Sequence, residues 1–230
     1  MSIIQSVINR PMLYRWHQQQ QAVFTKLAPE CIVVDQYQHN EDEQFKKLAL
    51  ADLTTLERIG FKGKDTSKWL AKQGLALTIQ PNWAERLGDG TLAARLSQNE
   101  YLFLSNFANQ SAACQQLKQQ QITNNQLCYL LRRDHSHSWF LLTGMHSAAT
   151  LAKLCGVDFR DEQFAVHQLA QTSLARTHTI IIKDTLRQTP VFHLLCDSTS
   201  QEYMWQYLID AMAEFDGKPI GVSCLKSQTK

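Results

Sequence analysis

Two histidines stand one residue apart beside a carboxylate, in the stretch Asp134-His135-Ser136-His137. Imidazole nitrogens and carboxylate oxygens bind Zn²⁺ and similar ions, so His135 and His137 are candidate metal ligands. A complete site needs a third and a fourth ligand, and only His146 and His167 are plausible additions. A polar stretch of this composition is also typical of a solvated turn. We favour the turn and keep the metal site as an alternative.

Other patterns that announce chemistry are absent from the sequence. It contains no GxSxG nucleophile motif, no P-loop and no GxGxxG dinucleotide motif. No CxxC pair occurs, so we expect the cysteines to be small buried apolar side chains or unpaired thiols. The cysteines are Cys31, Cys114, Cys128, Cys155, Cys196 and Cys224. No catalytic residue follows from spacing alone.

The composition excludes several classes of protein. The chain has 230 residues, which is enough to bury a core without disulfides or metals. A formal net charge of +2 argues against a strongly basic nucleic-acid binder. No stretch approaches 18 uncharged apolar residues, and the N-terminal segment lacks the pattern of a signal peptide. We therefore expect a cytoplasmic protein that binds neither nucleic acid nor membrane.

The chain pattern predicts a mixed fold. Three strand–strand–helix units follow one another, at 91–96, 101–105 and 108–121, at 127–133, 138–143 and 146–154, and at 172–183, 190–196 and 200–215. Units of this kind pack helices on antiparallel sheets, which is the α+β class. With no long linker in the sequence, we predict one unit over 1–230 with two pseudo-halves, about 11–125 and 126–220.

The earlier part of the chain and the last helix give further expectations. Apolar spacing from Pro11 to Leu27 predicts an opening helix. We predict a strand at 31–34, a helix at 41–50, a half-buried strand at 56–62 with Arg58 facing solvent, and a helix beginning at Asp65. Thr199 and Glu202 have the spacing of a capping box for the last helix.

Several motifs carry a family resemblance when they are taken in order. They are LYRWH at 13–17, ADLTTLERIGFKG at 51–63 followed by Trp69-Leu70, DG at 89–90, RL at 95–96, EYLFLSN at 100–106, and the segment 192–205. Together they resemble the folate-binding fold of the glycine-cleavage T-protein, an aminomethyltransferase. The resemblance is closest to the γ subunit family of heterotetrameric sarcosine oxidase, and it spans about residues 11–216.

The resemblance implies a chemistry and the residues that would serve it. The chemistry is one-carbon transfer on tetrahydrofolate. Asp89 stands where the T-protein's paired aspartates begin, with Gly90 at the second position, and Asn106 matches the asparagine that ends the family's strand. His193 stands where the T-protein has a glutamate that grips the pterin. A neutral imidazole cannot reproduce a bidentate carboxylate, so we expect weak tetrahydrofolate binding at Asp89, Asn106 and His193, with no cofactor tightly bound.

These departures lead to two hypotheses of function. The first is a non-catalytic protein, similar to the sarcosine oxidase γ subunit, that packs with larger flavin- and folate-bearing subunits or with a second copy. It would belong to a sarcosine-oxidase-type oxidoreductase without being catalytic alone. The alternative is a self-standing tetrahydrofolate-binding protein of one-carbon metabolism. The first hypothesis predicts an exposed apolar patch, for which Trp16, Trp83 and Trp139 are candidates.

Overall fold

The strands of the described residues form three sheets with helices packed on them. The structure is a computed structural model that describes residues 9–27, 31–122 and 125–229, so most of the N-terminal segment considered above, residues 1–8, lies outside it. Every pair of neighbouring strands is antiparallel except one short parallel pair. The predicted α+β class is confirmed. No helix of the described ranges is long and apolar enough to span a membrane.

The elements of the first part of the chain alternate between the sheets. They are α1 (Tyr14–Gln19), β1 (Val23–Leu27), β2 (Cys31–Gln36), α2 (Glu41–Lys47), β3 (Ala49–Asp52), β4 (Arg58–Lys62), α3 (Thr66–Lys72), β5 (Trp83–Arg86), β6 (Leu92–Ser97), β7 (Glu100–Leu104) and α4 (Ala112–Gln119). The hairpin of β6 and β7 and the helix after it agree with the first predicted unit.

The second part contains the longest strands and the longest helix. Its elements are β8 (Tyr129–Leu131), α5 (Arg133–Ser136), β9 (His137–Thr143), α6 (Ser147–Ala152), β10 (Leu169–Leu174), β11 (Thr177–Leu186), β12 (Thr189–Asp197), a 3₁₀ turn (Ser198–Ser200), α7 (Gln201–Ala213), β13 (Lys218–Pro219) and α8 (Val222–Ser227).

The two large sheets lie face to face and meet along one edge. The six-stranded sheet has the order β10-β11-β12-β9-β3-β13, and the five-stranded sheet has the order β5-β6-β7-β4-β8. A bridge between Trp83 and Gln168 joins the two, and the amide of Ala84 donates to the carbonyl of His167 at 2.8 Å beside it. The strands β3 and β8 each belong to a sheet built mostly from the other part of the chain.

The buried apolar residues fall into layers that explain the long apolar strands. One cluster fills the space between the sheets and includes Leu102 and Leu141. A second lies between the six-stranded sheet and its helices and includes Phe140 and Trp205, while a third lies under α3 and α4. Because β9 has helices on one face and the other sheet on the second, both faces are apolar, and the run Trp139–Leu142 is buried throughout.

A buried polar triad holds the opening helix on the sheet. The ring of His17 in α1 lies 2.7 Å from the hydroxyl of Tyr37 and 3.1 Å from the carboxylate of Asp52, which ends β3. All three residues are buried. Buried polar groups need hydrogen-bond partners, and these three supply partners to one another. The helix α1 ends at Gln19 rather than continuing to Leu27. The predicted opening helix is therefore too long, because β1 occupies its second half.

The second predicted hairpin is wrong. The strands predicted at 127–133 and 138–143 exist in part, but β8 pairs with β4 in one sheet and β9 pairs with β3 and β12 in the other. The connecting residues Arg133–Ser136 form one turn of helix instead of a β-turn. The third unit also differs, because the segment 172–183 is not one strand: it turns at Ala175 and Arg176, which both have positive φ.

Two local predictions are wrong, one about the exposure of Arg58 and one about the length of a helix. Arg58 does not face solvent but is 1% exposed, because its guanidinium donates to main-chain carbonyls, including those of Leu56 at 2.6 Å and His137 at 2.8 Å. The helix predicted at 41–50 ends at Lys47, because β3 begins at Ala49.

The caps of two helices also differ from their predictions. Thr199 makes no capping box, since its amide and hydroxyl both donate to the carboxylate of Asp197. Asp65 is the N-cap residue of α3 as predicted, but its side chain accepts from the amide of Leu127 rather than from the helix. All six cysteines are buried and unpaired, which confirms that prediction.

Candidate functional site

Three polar side chains lie diagonally across the six-stranded sheet, on the face that looks toward the other sheet. The register pairs His193 of β12 with Ile182 of β11 and with Leu141 of β9. Asp184 and Trp139 are each two residues along from those partners, so they share the face of His193. The sequence places these groups in apolar runs, where a buried polar residue needs a partner.

The imidazole of His193 is held in one tautomer. The indole Nε1–H of Trp139 donates to its Nδ1 at 3.1 Å, so the proton of the neutral ring is on Nε2. That nitrogen points toward Oδ2 of Asp184 at 3.6 Å, which is longer than a hydrogen bond. His193 is 1% exposed, and Phe107 stacks on it. Burial lowers the pKa of His193, although Asp184 opposes that shift.

Asp184 is the charged centre of this cluster. Its carboxylate forms an ion pair with Arg86 of β5 and lies 3.4 Å from Nε2 of His167. Burial acts to raise the pKa of Asp184, but His167, His193 and Arg86 together outweigh it and hold the pKa far below its ordinary value. The ion pair of Arg86 with Asp184 ties the two sheets together, and Arg86 also donates to the carbonyl of Gly90 at 2.8 Å.

Asp89 lies in the loop between β5 and β6, and its carboxylate accepts hydrogen bonds from nearby main-chain amides. One carboxylate oxygen accepts from the amide of Thr91 and the other from the amide of Ala113, each at 2.9 Å. The Ser111 hydroxyl is a further donor at 3.4 Å. Partial burial acts to raise the pKa of Asp89, but these hydrogen bonds outweigh it and lower the pKa. The N-cap residue of α4 is Ser111, whose hydroxyl accepts from the amide of Cys114 at 2.9 Å. The carboxylate of Asp89 adds a second acceptor to this cap.

Asn106 and Gly90 stand against each other beside Asp89. The side-chain amide of Asn106 donates to the carbonyl of Asp89 at 2.9 Å and accepts from the amide of Gln110 at 3.0 Å. Gly90 has φ +82°, a left-handed conformation that favours glycine, and a Cβ there would lie 3.3 Å from the Cβ of Asn106. An aspartate at this position would therefore be strained.

A cavity of about 520 Å³ opens at this end of the sheets. It is lined by Arg86, Gly88, Asp89, Gly90, Asn106, Phe107, Ala108, Thr185, Leu186, Arg187, Lys226, Gln228 and Thr229. The lining has cationic groups on β5, on the β11–β12 turn and on α8, and such groups attract an anionic ligand.

Only two of the three site residues implied by the resemblance line the cavity. Asp89 and Asn106 line the cavity together, whereas His193 is not part of the lining and lies behind Phe107. Sequence reasoning missed Arg86 and Asp184. A signal was present for Asp184, because Lys183 and Asp184 end the apolar run of β11, where charged residues require burial with partners.

Arginine side chains contact both histidines of the stretch that contains His135 and His137. The guanidinium of Arg133 lies 3.1 Å from Nε2 of His137. Burial and the charge of Arg133 lower the pKa of His137 to about 4. Within the described ranges, no three potential ligands converge in a way that could hold a metal ion.

The tryptophans proposed for an apolar surface differ from one another. Trp139 is fully buried between the sheets, which corrects its assignment to a surface, while Trp16 and Trp83 are partly buried. Exposed apolar side chains that lie close in sequence are instead Leu127, Tyr129 and Leu130 at β8, and Tyr203 and Tyr207 on α7.

Comparison with known proteins identifies relatives of this fold. Residues 13–229 match the family described as the GCVT N-terminal domain. No curated protein matches the chain significantly. Among solved structures, the glycine cleavage system aminomethyltransferase T from Bartonella henselae superposes with a TM-score of 0.74 at 16% identity, covering 96% of this chain. The chain spans 62% of that enzyme's length.

A second solved structure is a multi-subunit enzyme. A chain of the heterotetrameric sarcosine oxidase from Corynebacterium sp. U-96, in complex with pyrrole 2-carboxylate, superposes with a TM-score of 0.57 at 24% identity. The match covers 73% of this chain and 85% of that chain. At these identities the two structures establish a shared fold.

Proposed function

Because the chain belongs to the GCVT N-terminal domain family, we propose that it is a non-catalytic subunit, similar to the γ subunit of sarcosine oxidase. Its role is to pack with larger flavin- and folate-bearing subunits of an amine-oxidising enzyme. Alone, it has neither aminomethyltransferase nor amine oxidase activity.

The contacts that the residues of the implied folate site already make support this proposal. A pterin is gripped by a carboxylate that offers two acceptor oxygens to adjacent N–H groups. The resemblance gives that carboxylate to the position of His193, whose imidazole is buried behind Phe107 with its Nδ1 occupied by Trp139. Both oxygens of Asp89 accept hydrogen bonds from main-chain amides. The residues of this chain therefore fit a pterin poorly, although the cavity beside them has room for a ligand.

The size of the matched sarcosine oxidase chain supports the same role. A match that covers 73% of this chain and 85% of the other implies that the other chain is the shorter one. The fold thus occurs, at similar length, as one chain of a heterotetramer. A protein of this size with an exposed apolar edge is suited to assembly with larger partners.

Reconstitution tests the proposal directly. The chain is co-expressed with the larger subunits of a heterotetrameric sarcosine oxidase, and the complexes are separated by size-exclusion chromatography with light scattering. We expect a stoichiometric complex that oxidises sarcosine, and no turnover by the isolated chain. Folate-dependent turnover by the isolated chain, or its failure to join the complex, contradicts the proposal.

A second candidate function is a self-standing tetrahydrofolate-binding protein of one-carbon metabolism. The observation that favours it is the cavity of about 520 Å³ that Asp89 and Asn106 line together. Calorimetric titration of the isolated chain with tetrahydrofolate separates the two functions. Weak binding, lost in an Asn106→Ala variant, agrees with a vestigial site, while tight binding supports the second function.

A further inference from the structure

The strand β8 is an open edge of the five-stranded sheet. It pairs with β4 through three residues, with Tyr129 opposite Lys62, Leu130 opposite Phe61 and Leu131 opposite Gly60. No other strand of the described ranges borders it. Alternate main-chain N–H and C=O groups of an edge strand point outward, where they can pair with a further strand.

The side chains of this edge are apolar and exposed on both faces. Tyr129 is 59% exposed and Leu130 is 43% exposed, although successive residues of a strand point to opposite faces. Leu127, just before the strand, is 50% exposed. Proteins protect open edges with lysine, proline or a covering segment, and the residues Tyr129–Leu131 contain no charge or proline. The edge has the composition of a surface that another chain covers.

Basic side chains border this apolar edge. Lys62 lies opposite Tyr129, and the exposed Lys64 lies beside Leu127, whose amide and carbonyl both bond to Asp65 at 3.0 Å. Arg132 follows the strand, with a side chain that is 60% exposed.

The acidic groups nearby already have partners. Glu100 binds both Lys62 and Arg133, and Asp134 binds Arg132. Within the described part of the chain, Lys64 forms no ion pair. With Asp65, whose carboxylate accepts from the amide of Leu127, three acidic side chains stand against the four basic side chains Lys62, Lys64, Arg132 and Arg133, so the edge carries a net charge of +1.

We propose that the edge of β8 binds an extended acidic segment of a partner subunit, which adds to the sheet as a further strand. Main-chain hydrogen bonds supply affinity, two successive apolar side chains of the segment contact Tyr129 on one face and Leu130 on the other, and its carboxylates pair with Lys64. A second copy of this chain is disfavoured, because edge-to-edge pairing would bring two basic borders together. This inference rests on the proposed role as a subunit.

Two model peptides test the edge without the partner. One repeats two valines followed by two glutamates and the other repeats two valines followed by two lysines, and each is titrated into the full chain by fluorescence anisotropy. We expect the glutamate peptide to bind, more weakly at high salt, and to protect the amides of 127–131 from hydrogen exchange. Equal binding of both peptides, no binding of the glutamate peptide, or protection elsewhere overturns the inference.

Matched variants separate the apolar and electrostatic contributions to binding of the glutamate peptide. Tyr129→Ser and Leu130→Ser are expected to weaken binding of the glutamate peptide by about tenfold or more. Met145→Ser, at an exposed apolar site in another part of the fold, leaves it unchanged. Lys64→Glu is expected to weaken binding, and Lys46→Glu, which changes the net charge equally at a distant exposed site, is not. If Met145→Ser and Lys46→Glu weaken binding as much as the variants at β8 and Lys64 do, the peptide does not bind at β8.

The assembled enzyme distinguishes this inference from the proposed function. Protection of 127–131 from hydrogen exchange in the complex with the larger subunits supports both. A complex that leaves these amides unprotected overturns the inference and leaves the proposed function standing. A chain that binds the glutamate peptide at β8 but joins no complex supports the edge chemistry and contradicts the proposed function. Concentration-dependent dimers with β8 protected overturn the choice of partner.

Discussion

The indole of Trp139 donates to Nδ1 of His193 at 3.1 Å, and this one bond directs the other nitrogen of the ring toward Asp184. The three groups come from three neighbouring strands and share one face of the sheet. A ring with Nδ1 occupied and Nε2 directed at a buried carboxylate has no lone pair free to act as a general base. The geometry therefore assigns His193 to the structure of the core and explains why a glutamate would not simply substitute for it.

We predict that His193→Glu does not create a tight tetrahydrofolate site. The new carboxylate would be buried near Asp184 and behind Phe107, and an uncompensated buried charge costs about 3–5 kcal/mol. Thermal melting should show the loss of stability, and calorimetric titration should show no gain in affinity. His193→Gln, which keeps an acceptor and a donor, is the control. Strong binding by the glutamate variant would contradict our account of the site.

We predict that the protein loses stability as the pH falls below about 6.5, and that His193 contributes to the loss. Its pKa in the folded protein is below 6.5, so between the two values the unfolded chain binds more protons. The contribution is fully present above the unfolded pKa and decreases at lower pH, by at most about 1.4 kcal/mol per pH unit. The free energy of unfolding, measured in urea from pH 7.5 to 5, reports it.

Two variants assign that pH dependence. His193→Gln should give a flatter profile than the wild type, and the remaining slope should include His137, whose pKa is about 4. His135→Gln removes an imidazole whose side chain is 71% exposed and is the matched control. A profile that is equally steep in His193→Gln would mean that other groups account for the acid sensitivity.

The fold was predictable where local patterns decide the structure. The helix α7 and the hairpin of β6 and β7 follow from apolar spacing over a few residues. The partners of β8 and β9 did not follow, because two apolar runs joined by a short polar stretch have the sequence of a hairpin whether or not they pair. The strand β3 has four buried residues, too few for a period to separate strand from helix.

The site was predictable only in part, for a related reason. Asp89 and Asn106 were implied by resemblance and do line one cavity. The ion pair of Arg86 with Asp184 joins residues 98 positions apart, and no local spacing reports such a contact. The role of Asp89 was also hidden, because its partners Thr91 and Ala113 are main-chain amides that carry no side-chain signature.

We predict that Asp89→Ala lowers the free energy of unfolding by about 1–2 kcal/mol at pH 7, as expected for loss of a helix cap. Because the folded pKa of Asp89 is depressed, its contribution is present above the unfolded value of about 3.9 and is lost as the pH falls through the folded pKa. Urea denaturation at pH 7 and at pH 3 measures the difference. Asp210→Ala, at an exposed position of α7, should have little effect at either pH.

We predict that Lys183→Met destabilises the protein by about 2–4 kcal/mol and loosens the segment 155–168. The ammonium of Lys183, whose side chain is 1% exposed, donates to the carbonyls of Phe164 at 2.6 Å and Phe159 at 3.3 Å, and to the carboxylate of Asp161 at 2.6 Å. Methionine fills the volume but leaves two buried carbonyls without this donor, at about 1–3 kcal/mol each. Urea denaturation and hydrogen exchange of the segment measure the two effects.

A second variant shows which contacts of Lys183 matter. Asp161 is 84% exposed, so its ion pair is screened by solvent, and Asp161→Asn should change stability little. The segment leads to His167 and Gln168, which join the six-stranded sheet to β5, so its loosening in Lys183→Met should also raise exchange at Ala84. Equal destabilisation by the two variants would show that the ion pair, and not the carbonyl contacts, anchors the segment.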